Sequence, residues 1–137
     1  MKKFRLLMML MAAVVMFSGC GKDDDDDSQL ILGRWQFKSS TYTRFVNGAQ
    51  VGQPDVDTDD DYFIEFFDNG KANWDGEPAT YKIDGKTLTI FESEDPDDKD
   101  VVQISKLNKN ELEVTAEETY TENGQTVRSV YVEAFTK

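Results

Sequence analysis

The chain has no histidine, one cysteine and three prolines in 137 residues. Without His, the commonest general base near neutral pH and the commonest zinc ligand are both absent. A single Cys excludes an intrachain disulfide, so folding rests on core burial alone. Positive charge is scarce as well: 15 Lys and Arg stand against 27 Asp and Glu, a formal net charge of −12. That balance excludes binding to nucleic acid or to an anionic membrane surface through the protein's own charge. No apolar stretch approaches the roughly 20 residues that a membrane-spanning helix needs. No Gly-rich phosphate loop, Gly-x-Ser-x-Gly elbow or zinc-ligand spacing occurs either. Carboxylates such as Glu65, Asp75 and Glu77 are candidates for acid–base work, but among 27 acidic residues such groupings are expected by coincidence. The expectation is a protein that is not an enzyme, with no catalytic residues, no cofactor and no metal.

What is present begins with Met1-Lys2-Lys3-Phe4-Arg5, three positive charges ahead of any negative one. Twelve apolar residues follow at 6–17, and then Ser18, Gly19 and Cys20. A basic start, a short apolar run and small residues, in that order, form the pattern of a secretory signal peptide. The quartet Phe17-Ser18-Gly19-Cys20 resembles the signal of bacterial lipoproteins, with Phe17 where Leu is usual. The resemblance implies that residues 1–19 are a signal peptide and that Cys20 is acylated as the first residue of the mature protein. The thiol is the nucleophile that takes the lipid, and two or three acyl chains anchor stably where one binds marginally. Three of the 15 basic residues fall in this leader, leaving 12 against 27 acidic ones, a formal charge of −15.

Behind Cys20 come Gly21, Lys22 and then Asp23, Asp24, Asp25, Asp26 and Asp27. Adjacent like charges repel, so residues 20–29 read as a solvated tether. Consecutive carboxylates on a flexible chain do not preorganise a metal shell. Lys22 and the acidic run directly after the lipid-bearing Cys resemble the export signal of surface lipoproteins in the Bacteroidetes. That resemblance implies a lipid-anchored protein of the outer membrane facing outward, with an inward-facing lipoprotein as the alternative.

Residues 30–137 suit one domain of ordinary size. Short apolar and aromatic runs alternate with polar turns, the pattern of an all-β barrel or sandwich. The predicted strands cover 35–45, 62–68, 71–74, 80–83, 87–92, 101–107, 111–117 and 126–135. Between them lie turn pairs such as Asn47-Gly48, Asp75-Gly76 and Asn123-Gly124, which tolerate the positive φ of tight hairpins. Sequential antiparallel pairing then gives an eight-stranded up-and-down meander, and closing it removes exposed edges. Alternation predicts Leu88, Ile90, Leu112, Val114, Val130 and Val132 facing the core, with Tyr131 and Glu133 outside. Residues 62–67, apolar on both faces, predict a central strand with an exterior cover. Residues 53–61 and 92–100 read as acidic loops. Asp55, Asp57 and Asp59 have calcium-loop spacing, but Asp60 stands where the turn needs Gly and Phe66 where the bidentate Glu belongs.

The entry to the first strand, Leu30-Ile31-Leu32-Gly33-Arg34-Trp35, resembles the lipocalin and calycin barrels. In those barrels the Trp plugs the closed end, and an Arg of the last strand packs over its ring. The resemblance therefore implies barrel-closing roles for Gly33, Trp35 and Arg128, the last through a cation–π contact. More closely, 30–137 is similar to the lipocalin-like domains of small Bacteroidetes lipoproteins. The matching phrases are Leu32-Gly33-Arg34-Trp35 with Ser39, and Phe66-x-Asp68-Asn69-Gly70-Lys71. Tyr81-x-Ile83-Asp84-Gly85-x-Thr87-Leu88 and Ile104-x-Lys106-Leu107-Asn108-x-Asn110-Glu111-Leu112 complete the set. The domain is shorter than a lipocalin and has no disulfide.

The expected function is a non-catalytic binding module on the cell surface for a small apolar molecule or a glycan, with Tyr42, Trp74 and Tyr81 as candidate contacts. The alternative is a filled barrel that serves as an accessory protein and holds a surface partner. An eight-stranded barrel is only just wide enough for its own side chains or one small ligand, so the volume inside decides between them.

Overall fold

The computed structural model describes residues 27–95 and 97–137. The signal peptide, Cys20 and the run from Lys22 to Asp26 lie outside the described residues. Asp27, the last of that run, opens a single helical turn, α1 (Asp27–Leu30). Nine strands follow among the described residues: β1 (Gly33–Val46), β2 (Ala49–Asp57), β3 (Phe63–Phe66), β4 (Lys71–Trp74), β5 (Glu77–Asp84), β6 (Thr87–Phe91), β7 (Lys99–Leu107), β8 (Glu111–Glu122) and β9 (Gln125–Thr136). From β3 to β9 each strand pairs antiparallel with the next. Residues 33–36 of β1 pair with β3, while residues 36–46 pair along the other edge with β9. Those pairings close an eight-stranded antiparallel barrel made of β1 and β3–β9, the all-β lipocalin-like architecture expected.

Alternation places the core. Trp35 and Phe37, Ile64 and Phe66, Leu88 and Ile90, and Leu112 and Val114 are buried at every second position, as a pleated strand with one wet face requires. The apolar outer side of β3 has its cover, because the Arg34 guanidinium lies 3.6 Å over the Phe63 ring. Hairpin chemistry holds too: Asn123 and Gly124 both take positive φ, 50° and 76°, the pair of conformations that a two-residue turn between twisted strands demands.

Three expectations are corrected. Residues 49–57, in part read as an acidic loop, form the ninth strand, β2. It has no buried residue and carries Pro54, Asp55 and Asp57, so its composition does not announce a strand. It forms because β3 covers only the first four residues of β1, and the Asn47-Gly48 turn folds the chain back onto the edge left free. The phase of β9 is opposite to the expected one: Val127, Ser129, Tyr131, Glu133 and Phe135 share the inner side, and Val130 and Val132 lie outside. Register decides this, since Phe135 sits opposite Phe37 and Leu112 and Glu133 opposite Val114. Finally, Arg128 does not pack on Trp35. It pairs with Phe45 at the far end of β1, where its guanidinium lies 4.9 Å over the Phe45 ring and holds Glu117 by two bonds of 2.9 Å.

Lys137 takes the place expected of Arg128. Its ammonium lies 4.5 Å from the Trp35 ring and donates to the Leu30 carbonyl at 3.2 Å, while its backbone N–H bonds to Asn110. Trp35 and Ile31 are both wholly buried, and the indole N–H donates to the Ile31 carbonyl at 2.7 Å. That end of the barrel is closed. Gly33 reaches it with φ of 107°, and a Cβ there would stand 3.4 Å from Lys137 Cε. Gly33→Ala therefore combines backbone strain with a displaced Lys137. The expected loss is about 1–3 kcal/mol of unfolding free energy, read as a lower urea midpoint; an unchanged midpoint would refute the closure described.

Candidate functional site

The strands differ in length, and that shapes the opposite, open end. β1, β8 and β9 run 14, 12 and 12 residues, whereas β3 and β4 have four each. At about 3.4 Å per residue, β1 outruns β3 by about 30 Å of strand. A tall wall of β2, β1, β9 and β8 thus stands over a low rim. On its inner side the Tyr42 and Tyr131 rings are 4.9 Å apart, the Tyr42 hydroxyl is 3.2 Å from Ser129 Oγ, and Arg44 is paired with Glu122.

Below the wall, the mouth is built around Tyr62. Gln36 bonds to the Asp61 carboxylate at 2.7 Å and to the Tyr62 carbonyl at 3.0 Å, which ties the chain before β3 to β1. The Tyr62 ring then stacks on Phe37 at 4.7 Å and on Trp74 at 5.9 Å, and meets Phe135 edge-on. Under this stack lies a cavity of about 30 Å³ with an apolar floor that includes Ile64, Leu88, Ile90 and Val102. Trp74 and Glu133 complete its wall. A second recess, of about 90 Å³, is polar and lies at the closed end beside Asp27, Lys86 and Lys106.

Glu133 faces inward because it shares the side of Val114 in the register of β8 and β9. Burial raises its pKa, nearby Asp100 and Asp60 add to this, and the hydrogen bond from the Tyr62 hydroxyl offsets part of it. Tyr62 is itself pushed far up, first by burial and then by Glu133 and Asp60. Asp100 sits opposite Ile90 on the inner side of β7. Burial, with Glu92 and Asp98 beside it, pushes its carboxyl up to about 6. The charged neighbours named here are all carboxylates, so the mouth is strongly negative.

Of the three candidate contacts, the structure brings only Trp74 to the cavity. Tyr42 stands higher, on the tall wall. Tyr81 meets Phe66 edge-on and donates to the Phe67 carbonyl at 2.7 Å, beside the β3–β4 turn near the closed end. Glu65 pairs with Arg34 and Asn73 on the outer side of β3, and Asp75 and Glu77 lie in and after an exposed turn, so the three do not converge. Asp57 caps its own turn by accepting from Asp59 N at 2.8 Å. Among the described residues no group of three or more acidic, Cys or His side chains has the geometry to hold a metal. The sequence reading missed Glu133, Asp100, Tyr62 and Lys137. For Glu133 a signal existed: on a strand whose odd positions carry Val127 and Phe135, it falls in the apolar phase.

A closed antiparallel barrel, entered through Gly-x-Trp and plugged at that end, with a mouth at the other, defines a lipocalin-type protein. The family model of the lipocalin-like domain matches residues 31–114, and the chain belongs to that family. Members are generally binding proteins rather than enzymes. A crystal structure of a lipocalin-like protein from Bacteroides uniformis is similar in fold, with a TM-score of 0.46 and 16% sequence identity over 77% of this chain and 97% of that one. No curated protein matches the sequence.

The buried Asp100 has a consequence for stability. In the unfolded chain it releases its proton near 3.8, and in the folded protein only near about 6. The folded state therefore binds more protons across that window, and stability falls as pH rises through it. Asp100→Asn removes the loss. The expected gain is about 1 kcal/mol at pH 7, water screening much of the shift at this half-buried site, and little change at pH 4. Urea unfolding at the two pH values checks it; an equal gain at both would refute this account.

Proposed function

We propose that this chain is a surface-displayed lipoprotein of the outer membrane, anchored by lipid on Cys20, whose filled barrel is a non-catalytic binding module that works at its mouth. The observation that carries this reading is the size of the cavity under the mouth, about 30 Å³. Sites that enclose a small molecule usually measure about 300–1,000 Å³. An enclosed lipid, pigment or glycan finds no room among Trp35, Phe37, Phe66 and Phe135, whereas the mouth offers an aromatic stack and carboxylates to whatever approaches from outside.

The anchor and the outward orientation rest on the leader and the acidic run after Cys20, and the fold is compatible with them. Six residues lie between Cys20 and Asp27, a reach of about 25 Å at full extension, and Asp27 lies at the closed end beside Leu30 and Ile31. A lipid on Cys20 would turn the closed end toward the bilayer and the mouth and tall wall away from it.

Protease added to intact cells is expected to digest the protein, and Cys20→Ala to release it from the membrane fraction. Resistance until the cells are lysed would overturn the outward orientation, and retention of the Cys20→Ala protein would overturn the lipid anchor. Native mass spectrometry of protein purified from its own host is expected to find no enclosed ligand of lipid size. A co-purifying molecule of that size would overturn the filled barrel.

A further inference from the structure

We propose that the mouth takes the ammonium head of a small organic cation, seated between the Trp74 ring and the Glu133 carboxylate that share the wall of its cavity. The proposal rests on the mouth as the binding face and adds the class of ligand. Size is the first argument. A cavity needs about 10–15 Å³ to hold one water, so about 30 Å³ accepts two or three heavy atoms, a head group and not a chain.

Chemistry is the second. The floor of the cavity is apolar, yet Glu133 stands in its wall. Glu133 is partly buried, so its carboxylate loses part of its hydration, which a partner of opposite charge replaces. Tyr62 donates one hydrogen bond to it, and a carboxylate accepts about four. A charged N–H donor arriving through the mouth would replace water on its free lone pairs and supply the opposite charge. Asp100 faces the same interior from β7, and Asp60 acts on Glu133 from the segment before β3. Carboxylates lining a low-dielectric cleft concentrate cations and repel fatty acids and phosphates.

The aromatic stack is the third. Tyr62 is stacked on Phe37 and Trp74, and it holds in place the Trp74 ring, the member of the stack in the cavity wall. A Trp ring attracts ammonium groups within about 6 Å, and more so when the site is desolvated. A metal ion does not fit as well. Calcium takes six to eight oxygens, and among the described residues no acidic group has metal-holding geometry.

The test follows the two indole N–H signals by nuclear magnetic resonance in the full-length chain held in neutral detergent. Trp74 reports the mouth, and Trp35, buried at the closed end, is the control. Butylammonium is expected to move the Trp74 signal saturably and leave Trp35 in place. Butan-1-ol and butyrate, of the same length, are expected to produce no saturable shift. Glu133→Gln keeps the shape and the Tyr62 contact but not the charge, and is expected to weaken butylammonium binding about tenfold or more. If that variant does not fold, judged by the Trp35 signal, Asp100→Asn decides, with an expected loss of about threefold. Equal binding by the folded charge-neutral variant overturns the proposal. Saturation by butan-1-ol with butylammonium silent overturns the choice of a cation and leaves the mouth as the binding face. Silence of all three probes at Trp74 overturns the ammonium site. The filled-barrel reading falls separately, if a lipid-sized molecule co-purifies with the protein from its host.

Discussion

Everything in this fold depends on β1 being shared. Its first four residues pair with β3 on one edge, and residues 36–46 pair with β9 on the other, so one strand both starts the meander and closes it. Because β3 stops after four residues, the upper half of β1 has an unpaired edge, and β2 occupies it. Closure at the bottom and a high wall on one side are two results of the same unequal pairing. The interactions around Trp35 lock the closed side. A buried indole needs a partner for its N–H, which the Ile31 carbonyl provides, and Lys137 covers the ring.

The barrel's economy of size explains why its chemistry sits at the mouth. An eight-stranded barrel lined by two Trp and several Phe side chains has little space left. Large rings from β1, β3, β4 and β9 meet inside, and a cavity of about 30 Å³ lies beside Trp74 and Glu133. Polar groups that face inward need water or a partner: Glu133 and Asp100 are only partly buried, and the fully buried Ser129 is hydrogen-bonded to Tyr42. Further down, all the fully buried side chains of the core cluster are apolar.

Much of the architecture was legible in the residues themselves. The alternations of Leu88 with Ile90 and of Leu112 with Val114, and turn pairs such as Asn123-Gly124, are local signals, and each specifies a strand face or a hairpin by sterics alone. The closed end at Gly33-x-Trp35 was legible only through the resemblance of that entry to lipocalin barrels, not from sterics. β2 was not legible, because its nine exposed residues form a strand only where β1 offers an edge. Arg128 was a reasonable candidate for the Trp35 ring by strand order, but cross-strand register carries it to Phe45, and the last residue of the chain reaches Trp35 instead. Tyr62 and Trp74 are twelve positions apart and carried no shared signal, although their rings stack.

The residues by themselves therefore determined the class of structure: an all-β meander with no disulfide and a strongly acidic surface. Periodicity, turn chemistry and charge act over a few neighbouring positions, so they can be read without knowing what lies across the sheet. Tertiary structure alone decided the phase of β9, and with it that Glu133 and Tyr131 face inward while Val130 and Val132 do not. A strand's side chains alternate with a period of two, so either face of β9 had a plausible apolar set. Only the pairing of Phe135 with Phe37 and Leu112 selects between them, and that selection puts a carboxylate in the wall of the cavity.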